Sequence, residues 1–85
     1  MNISKAEQRT LHALARGGRI VTIKDPRGDV VRVECVTREG WVLTACTLEV
    51  FRKMRRRRFI ASHASAPYAI TRTGLEAVRA QVDNR

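Results

Sequence analysis

The sequence lacks any long apolar run, and this absence excludes a membrane protein. No stretch approaches the ~20 apolar residues that a transmembrane helix needs. Residues 1–5 also lack the apolar segment of a secretory signal. We therefore expect a cytoplasmic protein. A hydrophobic content of 44% still suffices for a packed core, and 85 residues predict one domain spanning residues 1–85.

Cysteine is also scarce. Cys35 and Cys46 stand eleven positions apart without a CxxC motif, and neither His12 nor His63 lies at a metal-ligand spacing from them. A zinc site requires four ligands, or three with a water. We expect two free thiols in a reducing compartment, with no metal and no cofactor.

Constellations that perform catalysis are missing as well. Ser62, His63 and Ser65 are neighbours within one short segment, whereas a catalytic triad brings together distant residues. The sequence contains no glycine-rich phosphate loop and no paired carboxylates in an apolar setting. We predict that the protein is not an enzyme and acts by binding.

Positive charge, by contrast, is abundant. Seventeen Lys and Arg against eight Asp and Glu give a net charge of +9, and fourteen of the seventeen are arginine. The planar guanidinium pairs with phosphate or carboxylate through two hydrogen bonds, which the ammonium of lysine does not do. The composition therefore predicts an anionic partner, either a nucleic acid or an acidic protein surface.

Local patterns in the first half predict a helix, a hairpin and a short strand. Ser4 with Glu7 forms a capping box for a helix over residues 5–16, and Gly17 and Gly18 end it. Residues 20–23 and the alternating residues 31–35 predict two strands, joined by the Pro- and Gly-containing turn 25–29. Residues 41–44 predict a further short strand.

The second half predicts a helix, a second hairpin and a closing helix. Thr47 caps a helix that begins at Leu48 and ends near Arg57. Residues 59–62 and 68–71 flank a polar loop and predict the hairpin. Thr73 with Glu76 forms another capping box, and a final helix carries Leu75, Val78 and Val82 toward the C-terminus.

This order predicts a small α+β domain that resembles a winged helix: helix, hairpin, short strand, helix, hairpin wing, helix. The segment 68–75 is similar to the junction between wing and helix in winged-helix regulators, where an apolar-Thr pair precedes a Gly in the first helical turn. A hairpin at 20–36 occupies the place of the usual second helix. The sequence therefore does not establish that the domain contains a helix-turn-helix unit.

The helix at 48–57 carries the densest charge, because six of the seven residues from 52 to 58 are cationic. At 100° per residue its apolar residues face the core, while the opposite arc gathers cations. Arg58 would enter the apolar arc, so the helix must end near it. The candidate binding residues on this helix are Arg52, Lys53, Arg55, Arg56 and Arg57.

A solvated face and a partner site are both open interpretations of this cluster. Like charges repel along a helix, and only Glu49 lies nearby in the sequence to offset them, which favours a partner. Arg16, Arg19 and Arg72 are candidates to extend the site. We expect Trp41 and Tyr68 to belong to the core or to be partly buried.

The residues also resemble the YjhX-type family of small basic bacterial toxins, described as topoisomerase I inhibitors. The similar segments are residues 2–4, 7–12, 17–20, 33–35, 38–40, 46–48, 50–51, 67–68, 73–75, 78–81 and 83–85. They cover essentially the whole chain.

The resemblance implies the toxin of a toxin–antitoxin pair. It implies DNA topoisomerase I as the inhibited target and a small acetyltransferase-like protein as the antitoxin. The alternative function is a winged-helix transcriptional regulator that binds DNA with the 48–57 helix in the major groove.

Overall fold

The computed structural model describes residues 3–83, which form three helices and two small antiparallel sheets. The elements are α1 Lys5–Ala15, β1 Arg19–Lys24, β2 Val30–Val36, β3 Val42–Leu43, α2 Leu48–Arg56, β4 Ile60–Ala61, β5 Ala69–Ile70 and α3 Arg72–Asp83. The predicted small α+β class is confirmed. None of the described helices combines the length and the apolar character needed to cross a lipid bilayer.

The larger sheet has the strand order β1-β2-β3, and the smaller sheet pairs β4 with β5. The predicted turn between β1 and β2 is held by Asp25, whose Oδ1 accepts the backbone N–H groups of Arg27 and Asp29, each at 2.9 Å. Ile20 joins the two sheets, because its N–H and carbonyl both bond to Tyr68, at 2.9 and 2.8 Å. The described chain therefore packs around one continuous interior.

The helix starts confirm two of the three predicted caps. Ser4 and Glu7 form the complete capping box of α1, and the Thr47 hydroxyl accepts the N–H of Val50 at the start of α2. The prediction of Thr73 as the cap of α3 is wrong. Thr71 caps this helix instead, and its hydroxyl accepts the N–H of Gly74 at 3.1 Å.

The correction at α3 has a simple physical reason. Thr71 follows β5 directly, and its N–H donates to the Phe59 carbonyl while its hydroxyl donates to the Arg58 carbonyl at 2.7 Å. These bonds to the end of α2 fix Thr71 at the point where the helix begins, so Thr73 lies within the first turn. The side chain of Val82 lies outside the described residues.

Helices α1 and α2 end in the same hydrogen-bonding motif, in which the chain turns through a residue of positive φ. In α1 that residue is Gly17, at φ 110°, and the N–H of Gly18 reaches the Ala13 carbonyl at 3.1 Å. In α2 it is Arg58, at φ 62°, and the Phe59 N–H reaches the Met54 carbonyl at 3.0 Å. Both predicted helix ends are confirmed.

The core gathers apolar side chains from every helix and from both sheets. Its buried members include Leu11, Leu14, Ile20, Val33, Cys35, Cys46, Phe51, Met54, Phe59, Ile60, Ala77 and Val78. Cys35 and Cys46 are free, as predicted. Burial raises the pKa of the Cys35 thiol and raises that of Cys46 to about 12, so both thiols stay protonated near neutral pH.

The two aromatic predictions have different outcomes. Tyr68 is half-buried and meets the Phe51 ring edge-on at 4.9 Å between centroids, which confirms its structural role. The prediction for Trp41 is wrong, because its side chain is 72% exposed. Trp41 lies just before β3, a strand of only two residues. Leu43 of this strand packs against the core, whereas Trp41 does not.

Candidate binding site on helix α2

Helix α2 has one buried side and one cationic side, as its sequence predicts. Phe51 and Met54 have no exposed surface, and Leu48 and Val50 are half-buried against the core. The other side of the helix is exposed and carries four cationic residues beside the acidic Glu49. These are Arg52, Lys53, Arg55 and Arg56.

The cationic side is partly neutralised by Glu7, a residue of α1 whose side chain has no exposed surface. Its Oε1 lies 3.4 Å from Nζ of Lys53, and its Oε2 lies 3.3 Å from Nη1 of Arg57. The same Oε1 accepts the backbone N–H of Ser4 at 2.9 Å. One buried carboxylate therefore contacts two of the five predicted binding residues on α2.

The ionisation of Glu7 depends on these partners. Burial alone raises the pKa of a carboxyl group, because it disfavours the charged form. The hydrogen bonds with the backbone and hydroxyl of Ser4, together with Lys53, outweigh burial and hold the pKa of Glu7 below its ordinary value. Glu7 is thus a charged anchor between the start of α1 and the cationic side of α2.

Arg57 is used within the protein itself. It is half-buried at the end of α2, and its guanidinium lies 4.8 Å from the centre of the Phe59 ring as well as against Glu7. Both contacts favour a fixed orientation of this side chain. Arg57 therefore contributes to the packing of α2 more than to its exposed face.

Three cations remain on the exposed face of α2, which we call the α2 face: Arg52, Arg55 and Arg56. Within residues 3–83, no described carboxylate comes within 4.0 Å of their guanidinium groups. Arg55 is steadied by the Phe51 ring, 5.3 Å from its guanidinium carbon.

Two adjoining grooves lie on the side of this face that borders the β1–β2 turn, and Gly28, Val30 and Arg55 line both of them. Arg52 and Arg55 line a groove of about 540 Å³ that is shared with Asp25 and Asp29 of the β1–β2 turn. Arg55 also lines a groove of about 300 Å³ together with hydroxyl groups of the β4–β5 loop, those of Ser62 and Ser65. The α2 face is therefore a shaped surface rather than an isolated row of charges.

The other three predicted binding residues, Arg16, Arg19 and Arg72, do not lie on the α2 face. Arg19 donates to the carbonyls of Gly17 and Gly18, at 3.3 and 2.9 Å, and so binds the C-terminal end of α1. Arg72 pairs with Glu76, 3.8 Å away within α3. Arg16 is the C-cap residue of α1, and its side chain lines a different groove.

This groove was not predicted from the sequence as a separate site. It holds about 310 Å³, and its lining combines Arg9, His12, Arg16 and Arg38 with the apolar side chains of Ala13 and Leu43. The spacing of positions 9, 12 and 16 on one helix face was the available signal. The described residues contain no group of three His, Cys, Asp or Glu side chains suited to holding a metal ion.

Comparison with known proteins places these features in a family. Residues 1–85 match the YjhX toxin family, described as "Putative toxin of bacterial toxin-antitoxin pair". The UPF0386 protein of Parvibaculum lavamentivorans is 64% identical over the full length of both chains. The UPF0386 proteins of Rhodospirillum centenum and Caulobacter vibrioides are 61% and 56% identical over the whole of this chain, which covers 99% and 93% of theirs. No solved structure matches significantly. The predicted family is confirmed, and the chain belongs to the YjhX toxins of bacterial toxin–antitoxin pairs.

Proposed function

We propose that this toxin acts by binding rather than by catalysis, and that the α2 face is its contact with the target. The observation that carries this proposal is the position of Arg52, Arg55 and Arg56, which are exposed and unpaired among the described residues. Glu7 already pairs with the neighbouring Lys53 and Arg57, whereas the remaining three cations are available to an external anion.

The proposed target is DNA topoisomerase I in the cytoplasm, and the proposed antitoxin is a small acetyltransferase-like protein. The resemblance to the topoisomerase-inhibiting toxins supports both. A basic face contacts either an acidic region of the enzyme or DNA held by the enzyme, because two basic surfaces repel each other. Guanidinium groups suit both anions, since carboxylate and phosphate accept two parallel hydrogen bonds from one arginine.

The test is relaxation of supercoiled plasmid by purified topoisomerase I in the presence of the toxin. We expect the wild-type chain to slow relaxation and the triple variant Arg52→Ala, Arg55→Ala, Arg56→Ala to lose this effect. The matched control is Arg27→Ala, Arg32→Ala, Arg79→Ala, which removes the same charge from exposed positions elsewhere. Equal inhibition by wild type and the α2 variant, with unchanged circular dichroism, would overturn the role of the α2 face.

A second measurement separates direct contact from contact through DNA. Tagged toxin is used to capture topoisomerase I from solution before and after nuclease digestion. Retention after digestion supports direct contact with the enzyme, and release supports a complex bridged by DNA. Absence of capture under both conditions would remove topoisomerase I as the target.

A winged-helix regulator is the second candidate function, and the groove shared by Arg55, Ser62 and Ser65 favours it. In such a protein, α2 would enter the major groove and the β4–β5 loop would contact the DNA backbone. The β1–β2 hairpin stands where a helix-turn-helix protein has its second helix, so the α2 face would act without that support. A gel shift with duplex promoter DNA at low salt tests this function, and no retardation would exclude it.

A further inference from the structure

Helix α1 carries a second cationic surface, which faces away from α2. Lys5, Arg9, His12 and Arg16 are all exposed and follow the spacing i, i+4, i+7, i+11. At 100° per residue these four positions fall within an arc of about 60°. The row extends for about 16 Å along the helix, at 1.5 Å per residue.

The body of α1 separates this row from the α2 face. The buried residues of α1 are Glu7, Thr10, Leu11 and Leu14, and they occupy the opposite side of the helix. Glu7 contacts α2 from that buried side. The two cationic surfaces therefore point in different directions, and one macromolecular partner on the α2 face would leave the row on α1 accessible.

The β2–β3 turn completes the second surface with Arg38. The groove of about 310 Å³ runs between this turn and α1, and Arg38 lines it together with Arg9 and Arg16. The Arg38 side chain lies close to Gly17 at the end of α1, where a Cβ would be in ordinary van der Waals contact with Cδ of Arg38, at 3.5 Å. Among the described residues Glu39 is the acidic side chain lining the groove, and no carboxylate lies within 4.0 Å of the three arginines.

An exposed aromatic side chain stands on the same turn. Trp41 is 72% exposed, and it is the single tryptophan of the chain. Its backbone carbonyl accepts the N–H of Thr37 at 2.8 Å and its N–H donates to the Thr37 hydroxyl at 3.0 Å. Thr37 itself lines the groove, so these two bonds fix the backbone of Trp41 next to a residue of the groove.

We propose that the surface formed by Arg9, Arg16, Arg38 and Trp41 binds single-stranded nucleic acid. A cationic groove that follows the backbone, with an aromatic ring on which a base stacks, is the arrangement that single-strand binding requires. A duplex keeps its bases stacked internally and offers none to an exposed indole. An acidic protein segment supplies carboxylates for the arginines but no base for Trp41. The proposal is independent of the proposed function, because it concerns a different surface.

The experiment titrates the whole 85-residue chain into a fluorescein-labelled oligothymidylate of about 15 nucleotides, within the site sizes of single-strand binding proteins. Fluorescence anisotropy measures affinity at several salt concentrations, and the tryptophan emission of the wild type is followed in parallel. We expect binding to be accompanied by quenching of Trp41, since a stacked base changes the environment of the indole. Binding without a change in emission would overturn the role of Trp41.

Variants assign the binding to this surface. For Arg9→Ala, Arg16→Ala, Arg38→Ala, we expect the slope of log affinity against log salt to fall by about 2, since each single-strand phosphate contact contributes about 0.7. Trp41→Ala should weaken binding about tenfold through lost stacking, whereas Trp41→Phe should retain most of the affinity.

The matched control removes the same number of charges from the α2 face, in Arg52→Ala, Arg55→Ala, Arg56→Ala. We expect it to weaken binding less than the α1 variant does. An equal or larger loss in the α2 variant would overturn the proposal, as would equal affinity for duplex DNA or for polyglutamate of the same charge. Circular dichroism of each variant confirms that the fold is retained. Because this assay contains no topoisomerase, failure of the proposed function would not alter its result.

Discussion

Helices α1 and α2 have the same construction but handle their positive charge differently. Each begins at a hydroxyl cap, Ser4 or Thr47, packs one apolar side into the core and ends by turning through a residue of positive φ. Helix α2 has the denser charge, yet two of its cations contact the buried Glu7. The exposed row of α1 has no such carboxylate within the described part of the chain.

Charge density in a sequence therefore does not measure the charge that is available to a partner. Six cations between positions 52 and 58 made α2 the prominent site, but Arg57 is half-buried and Lys53 contacts Glu7. The sparser row on α1 is fully outward-facing. An anion approaching this protein therefore meets two separate cationic surfaces, one on α2 and one on α1.

The largest change in stability is expected from substitutions on the buried sides of α1 and α2, a feature that the two helices share. Phe51→Ala should lower the free energy of unfolding by about 3–5 kcal/mol, because the ring is fully buried and its loss leaves a cavity. Leu11→Ala in α1 should cost about 2–5 kcal/mol for the same reason. Urea denaturation followed by circular dichroism measures both, and a loss below 1 kcal/mol, on the order of a surface change, would contradict the packing described.

The second prediction removes the carboxylate charge that distinguishes α2 from α1. Glu7→Gln keeps the shape of the side chain but leaves Lys53 and Arg57 without their counter-charge, and we expect it to lower the free energy of unfolding by about 2–3 kcal/mol. The control is Glu49→Gln, an exposed carboxylate on α2 that makes no ion pair among the described residues and should change stability little. Equal effects of the two variants would show that Glu7 does not neutralise α2.

The third prediction tests the contribution of ionised Glu7 through the pH dependence of stability, and its expected effect is smaller. The pKa of Glu7 is below the ordinary value of 4.5 in the folded chain, so the unfolded chain takes up its proton at a higher pH. The stabilisation from Glu7 is complete at neutral pH and is lost as the pH falls from about 4.5 through the folded pKa. The stability difference between wild type and Glu7→Gln should narrow over that window in urea titrations. A difference that stays constant below pH 4.5 would contradict this.

The smallest effect concerns the helix ends. Arg58→Gly should raise the free energy of unfolding by about 0.5–1 kcal/mol, because glycine adopts positive φ without the strain of a Cβ. Arg58→Ala removes the same charge but keeps the strain, so it separates backbone from electrostatic effects. Gly17→Ala should destabilise α1 by about 1 kcal/mol. Thermal melts of the three variants provide the measurement, and similar melting temperatures for Arg58→Gly and Arg58→Ala would exclude backbone strain as the cause.

The parts of the fold that the sequence predicted depend on residues close together in the chain. The capping box of Ser4 and Glu7, the Asp25 turn and the end of α2 near Arg58 each involve neighbours within about five positions. The cap of α3 was misplaced because Thr73, which Glu76 follows three positions later, carries the stronger local capping signal than Thr71. Bonds from Thr71 to Arg58 and Phe59 place the cap at Thr71, and these bonds depend on the pairing of β4 with β5.

The candidate site was predicted only in part for the same reason. Local periodicity identified the exposed cations of α2, but Glu7 meets Arg57 across fifty positions of sequence. Nothing in a window of helical length relates these two residues. The exposure of Trp41 likewise depends on how far β3 extends, which packing sets.

Sequence was enough to predict the helical and extended segments, the free thiols and the large excess of arginine, and its resemblance to the YjhX toxins predicted the family. The structural features among these are local or compositional, so periodicity, capping residues and charge counts suffice to predict them. Which arginines face a carboxylate of their own chain, and which face solvent, became clear from the folded structure alone. Ion pairing depends on distances of a few ångströms between segments far apart in sequence, and the packing of α1 against α2 sets those distances.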